Sequence, residues 1–181
     1  MLKKFQLTLA VLSSLAIIGC KPADTAKEKS VMVGLPSQDS SSALQDANAF
    51  AAEAFLAKNK LVPGVITTAS GLQYAVIASG PATGLKPTAD SIVQVNYEGT
   101  LLNGEVFDSS FKRGEAAEFP VGQLIPAWVE ALQMMRPGDE WTIWVPPAIG
   151  YGAQGGGPIP PNSLLIFRMR LEKIVSGPGA K

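Results

Sequence analysis

The chain has 181 residues and carries 15 Lys+Arg against 15 Asp+Glu, so no global charge points to nucleic acid or another polyanion. It contains no histidine and a single cysteine, Cys20, which excludes Ser-His-Asp and Cys-His catalysis, imidazole metal sites, multi-cysteine zinc sites and an intrachain disulfide. Composition leaves open only carboxylate-only metal sites or acid/base pairs; no metal or cofactor is expected, and any chemistry rests mostly on shape, desolvation and hydrogen bonding.

Lys3 and Lys4 precede a mostly apolar run over residues 5–18. This is the charged n-region and short h-region of a secretory signal. It is shorter than the ~20 apolar residues of a comfortable transmembrane helix. The run closes on Ile17, Ile18, Gly19 and Cys20, which resembles the lipobox of bacterial lipoproteins. The resemblance implies that residues 1–19 are a signal peptide and that Cys20 is lipidated, with several acyl chains holding the protein stably. The alternative is an uncleaved hydrophobic anchor carrying an incidental cysteine. In enteric-type lipoproteins an Asp after the cysteine favours the inner membrane, so Lys21 points to the outer membrane. The expected location is therefore the cell envelope, anchored and facing the periplasm.

Residues 20–42 are rich in Ser, Lys, Asp, Ala and Pro and read as a disordered tether. An N-terminal helix and connector follow over residues 43–65. Leu44, Ala47, Phe50/Ala51 and Ala54/Phe55 recur at helical spacing, and Val62, Pro63 and Gly64 stop the helix. That apolar stripe needs a partner, either its own domain, a second copy in a homodimer, or a client.

Beyond this the pattern turns to strands. Residues 72–78 form a short strand ended by Ser79, Gly80 and Pro81. Over residues 91–102 the side chains alternate, with Val93, Val95 and Tyr97 on one face and Gln94, Asn96 and Glu98 on the other. Asn103 and Gly104 suit a tight turn, and residues 105–108 start the return strand. One short helix is predicted over residues 126–134, with Pro126 in its first turn and Ile125, Trp128/Val129 and Leu132 on its apolar face. Residues 140–145 and 165–174 alternate as two more strands. Trp144 falls opposite Ile143, on a face the N-terminal helix is placed to cover. The class is α+β: a twisted antiparallel sheet of five to six strands wrapped around one short helix, over residues 66–175, with a flexible tail at 176–181.

Phe107, Phe119, Leu124, Ile125, Tyr151, Pro158 and Ile159 sit beside Gly/Pro-rich loops. Singly each reads as ordinary core; together they suggest an apolar pocket with few polar groups.

At these residues the sequence resembles the FK506-binding family of peptidyl-prolyl cis/trans isomerases across residues 72–174. The matching stretches are residues 93–99 (VQVNYEG), 103–110 (NGEVFDSS), 113–114 (RG), 119–122 (FPVG), 125–130 (IPAWVE), 135–138 (MRPG), 151–152 (YG) and 159–162 (IPPN). Residues 55–59 (FLAKN) and 71–74 (GLQY) are similar to the periplasmic and macrophage-infectivity-potentiator branch. That branch carries an N-terminal helical dimerisation region, longer than the stretch between Cys20 and Pro63 here.

The resemblance implies an isomerase that accelerates X–Pro rotation in exported polypeptides and can bind an FK506-type macrolide. It implies Trp128 as the floor of the proline pocket and Tyr97, Phe107, Phe119, Leu124, Ile125 and Phe167 as its walls. Asp108 and Tyr151 would be the polar rim, with Ile159 a loop contact above. Tyr97, Asp108 and Tyr151 are thus the expected catalytic groups. Read from the residues alone, Asp108 also suits a turn cap before Ser109 and Ser110, and Trp128 a helix-face core position. The family usually has Gly where Ala127 stands, so a methyl is expected near the floor, and Ala where Gly150 stands. A non-catalytic binding module or holdase of the same fold, and a structural envelope lipoprotein, are the competing readings.

Overall fold

The computed structural model describes residues 40–178 and 180. The expected leader, the lipidated Cys20 and nearly all of the tether lie outside the described residues. Seven strands form one antiparallel sheet: β1 (Ile66–Thr67), β2 (Gln73–Ala78), β3 (Ile92–Leu101), β4 (Val106–Ser109), β5 (Ala117–Pro120), β6 (Glu140–Val145) and β7 (Leu165–Ser176). Their order is β1-β2-β6-β7-β3-β4, with β5 also paired to β3. The helices are α1 (Ser40–Asn59), α2 (Ser110–Arg113) and α3 (Pro126–Met134). Among the described residues no helix is long and apolar enough to cross a membrane.

The alternation read in the sequence positions the core. Val93, Val95, Tyr97 and Leu101 of β3, Trp141, Ile143 and Val145 of β6, and Leu165, Phe167, Met169 and Leu171 of β7 are buried on one face. Against it lies α3, with Ala127, Trp128, Ala131 and Leu132 inward. Pro126 opens that helix without the loss of a hydrogen bond, because the first N–H groups of a helix have no intrahelical partner. Strands β1 and β5 go beyond the five to six expected. Each is too short for a period-2 pattern, and Pro120 ends β5.

Strand β3 organises the sheet. Along one edge it pairs with β7 over its whole length. Its other edge is shared, with β5 opposite residues 92–95 and β4 opposite residues 98–100. Between them the backbone of Tyr97 faces no strand, and Ser110 fills the gap. The Ser110 hydroxyl accepts from the Tyr97 N–H at 2.8 Å and donates at 3.1 Å to the Asn96 side chain, with the Tyr97 carbonyl 3.3 Å away. One hydroxyl thus does the work of a missing ladder partner, since a buried N–H without an acceptor is costly. It is placed there by α2, a single turn capped by Ser109, which accepts from Lys112 N–H, and closed by Gly114 at φ 80°.

The N-terminal helix packs on its own domain, but not through the stripe read from the sequence. Phe50 is 74% exposed and Leu44 is also exposed, while Ala52 and Asn59 are buried. The inward face carries amides that bond to the body: Asn59 donates to Gln73 at 2.9 Å, and Gln73 donates to the Leu56 carbonyl at 2.9 Å. Gln73 is the cross-strand partner of Trp144, which is half-buried, so the end of α1 lies over that face of the sheet as expected.

The sheet corner depends on Asp139. Its buried carboxylate accepts from Gly80 N–H at 2.6 Å and Arg136 N–H at 2.8 Å. Asp139→Ala would leave two backbone donors unpaired, at about 1–3 kcal/mol each. We expect a loss on the order of 2–4 kcal/mol in urea unfolding; a change within about 0.5 kcal/mol would show that the corner does not need the carboxylate.

Candidate functional site

Nine of the ten pocket residues expected from the sequence line one cavity of about 170 Å³: Tyr97, Phe107, Asp108, Phe119, Leu124, Ile125, Trp128, Tyr151 and Phe167. They come from β3, β4, β5, β7, α3 and two loops, so only the folded sheet brings them together. Phe107 and Phe119 lie within strands β4 and β5 rather than beside loops. The volume falls below the 300–1,000 Å³ typical of a drug-sized ligand site; it suits one compact apolar side chain. Larger hollows elsewhere, of about 420, 450 and 590 Å³, lack this aromatic wall.

The floor is the Trp128 indole, 4% exposed. Tyr97, Phe119 and Phe167 meet it edge-to-face, with ring centroids 5.1, 5.8 and 5.2 Å away and planes within a few degrees of perpendicular. Such T-shaped pairs add about 0.5–1.5 kcal/mol each beyond area burial. Phe107 stands edge-on to Phe167 at 5.5 Å. Those two rings close over Gly99. A Cβ built there would come within 2.5 Å of Phe107 Cζ and 2.8 Å of Phe167 Cε1.

One side of the cavity is polar. The Tyr97 hydroxyl donates to Asp108 Oδ2, and Arg113 donates to Asp108 Oδ1. Arg113 also donates to the Tyr97 hydroxyl at 3.1 Å, with its guanidinium carbon 5.7 Å from the Tyr97 ring centroid. Burial pushes the Asp108 carboxyl up, but the Tyr97 hydroxyl and the Arg113 guanidinium outweigh it and hold the group below its ordinary range. Burial, then the bond to Asp108, raises the Tyr97 hydroxyl above its ordinary value of 10.0. Bonds to Tyr97 and Asp108 raise Arg113. The triad is therefore an ionised carboxylate, a neutral phenol and a guanidinium across the neutral pH range.

The sequence marks Arg113 only as part of the 113–114 (RG) match, with no role in the pocket; the structure brings it to Asp108 and Tyr97 at the end of a single helical turn closed by Gly114. Two other expectations differ. Ile159 does not line the cavity: it is 5% exposed and packed in the core. It ends a tight reversal in which Gly156 and Ile159 exchange both backbone hydrogen bonds at 2.9 Å around Gly157, whose φ is 55°. Ala127 is fully buried and outside the cavity lining, so its methyl fills the core instead of the floor.

Residues 84–172 match the model of the FKBP-type peptidyl-prolyl cis-trans isomerase, and residues 22–76 match the domain amino-terminal to it. A crystal structure of a peptidyl-prolyl cis-trans isomerase from Pseudomonas syringae pv. tomato superposes with a TM-score of 0.66 at 34% identity, covering 72% of this chain and 95% of that one. The chain belongs to the FKBP-type peptidyl-prolyl cis-trans isomerase family. Within it the chain is similar to the Mip branch. It is 53% identical over 125 residues to the peptidyl-prolyl cis-trans isomerase Mip of Coxiella burnetii, covering 68% of this chain and 54% of that one. It is 49% identical over 120 residues to the outer membrane protein MIP of Legionella longbeachae, covering 66% and 51%. The chain thus spans about half the length of the curated relatives it matches.

The Gly99 packing gives a direct test. Gly99→Ala would force Phe107 and Phe167 apart and cost about 1–3 kcal/mol of stability, as overpacking does. It would also disturb Trp128 fluorescence; a variant as stable as wild type with an unaltered spectrum would contradict the packing.

Proposed function

We propose that this FKBP-family chain is a peptidyl-prolyl cis/trans isomerase acting on proline-containing exported polypeptides in the cell envelope. The observation that carries the reading is the convergence of nine side chains on one small aromatic cavity with a Tyr97–Asp108–Arg113 triad on one side. In this reading Cys20 is lipidated and holds the chain to the outer membrane facing the periplasm. An FK506-type macrolide would compete for the cavity.

Rotation about a peptide bond requires loss of amide resonance, against a barrier of about 18–20 kcal/mol. The twisted amide carries less charge separation than the planar one. Apolar walls disfavour the planar form relative to it, whereas water favours the planar form. The prolyl ring would rest on Trp128 between Phe107, Phe119, Leu124, Ile125 and Phe167. Tyr151, 43% exposed at the rim, would donate its hydroxyl to the rotating amide carbonyl. Asp108, engaged on both oxygens, would hold the polar wall and the Tyr97 ring in place. Buried Ile159 would shape the loop rather than touch the substrate.

Tyr151→Phe and Asp108→Leu should each lower kcat/KM about tenfold, or about 1.4 kcal/mol, in a protease-coupled prolyl tetrapeptide assay. Full activity in both would remove those roles. A chain that suppresses client aggregation without accelerating the peptide would instead be a holdase.

The pH profile gives a second test. Asp108, with a depressed pKa, contributes fully above its ordinary value of 3.8 and loses its contribution as pH falls through the lower folded value. Tyr97, with a raised pKa, contributes below 10.0 and is lost as pH rises through its higher folded value. The chain has no histidine. kcat/KM should therefore be flat from about pH 5 to pH 9; a bell-shaped profile inside that window would contradict the assigned groups.

A further inference from the structure

Six residues follow Tyr151 before Pro158, and four of them are glycine. Such a segment gains little order from its own side chains, yet it carries a half-exposed rim tyrosine. Two features hold it. Gly156 lies against the tyrosine ring, since a Cβ there would meet Tyr151 Cδ1 at 3.0 Å. The ends of the loop are tied together where Asn162 N–H donates to the Gly152 carbonyl at 2.9 Å. Asn162 is at φ 53°, the one non-glycine at positive φ among the described residues, in a conformation that Asn tolerates.

Helix α1 grips that same knot. Asn48 Nδ2 donates to the Pro161 carbonyl at 2.8 Å, Gln45 Nε2 donates to the Ala153 carbonyl at 3.2 Å, and Asn162 Nδ2 donates to the Gln45 carbonyl at 3.3 Å. The side-chain hydrogen bonds of this half of the helix all go to that loop. One hollow runs along Leu44, Asn48 and Ala51, and another along Ala49, Ala52 and Glu53. A helix docked only for its own stability would bury its large apolar residues; here Leu44 and Phe50 are exposed, and Gln45 and Asn48 present amides to the carbonyls of one loop.

We propose that α1 is a strut for the rim loop, and that Gln45 and Asn48 are positioning residues that act on the reaction through Tyr151. Release of the helix would loosen the rim while leaving the aromatic floor intact. The inference rests on the isomerase reading.

The test uses the full chain with the double variant Gln45→Ala/Asn48→Ala. Alanine favours helix, so α1 itself persists. We expect kcat/KM on a prolyl tetrapeptide to fall about three- to tenfold. Amide exchange over residues 152–162 should accelerate about tenfold or more, and the unfolding midpoint should shift little. In a Tyr151→Phe background the same pair should lower activity less than about twofold, because both changes act through one hydroxyl. An equal loss in both backgrounds, or full activity in the double variant whatever its exchange, overturns the strut. A wild-type chain inactive on the peptide sinks the isomerase reading itself, whereas an active wild type with an unaffected variant sinks the strut alone.

Discussion

The Trp128 indole stands where the sheet, the helix and the cavity meet, and three rings from three different strands meet it edge-to-face. Tyr97 arrives from β3, Phe119 from β5 and Phe167 from β7. A T-shaped contact fixes both distance and tilt, so three around one indole constrain the strands behind them as well as the rings. α3 can lie on the sheet in few other ways without breaking this box. The face of the indole left over becomes the floor of the cavity. Core and site are therefore one object, and a side chain that stabilises the fold also shapes the site.

The polar wall has a different origin. Because β4 and β5 divide the free edge of β3, Tyr97 sits at a break in the ladder, and Ser110 completes its backbone bonding from α2. The same short turn that supplies Ser110 ends in Arg113, which reaches back to both Asp108 and Tyr97. A local defect in strand pairing is thereby converted into a charged, hydrogen-bonded patch beside an apolar cavity. Both partners of the ion pair are partly exposed, with 45% and 41% of their side chains accessible, so solvent screens the pair. Its role lies in orientation more than in stability.

Much of this is legible in the sequence. Period-2 alternation at Val93, Val95 and Tyr97, and again at Phe167, Met169 and Leu171, marked the buried faces. Pro126 and the Trp128/Leu132 spacing marked α3. What escaped had too short a pattern or a misleading one. β5 is four residues ending in Pro120. In α1 the apolar spacing marks a stripe but not what covers it; Phe50 points to solvent, and Asn48 and Gln45 turn inward, where carbonyls of the 152–162 loop accept from them. Ile159 looked like a loop residue, yet the Gly156 reversal turns it into the core. Arg113 carries a role only through a back-reach that no linear spacing reveals.

By itself the sequence determined the chemistry that was excluded, the alternation of most strands and the membership of the apolar set. Absent histidine and a lone cysteine are facts of composition, and burial faces follow from periods of 2 and 3.6 residues. The tertiary structure decided which of those apolar residues share a cavity, which are only core, and which face of α1 turns inward. Those outcomes depend on contacts between residues far apart in the chain, such as Asn48 with Pro161 and Tyr97 with Phe119. Periodicity is local and cannot encode them; closure of the sheet does.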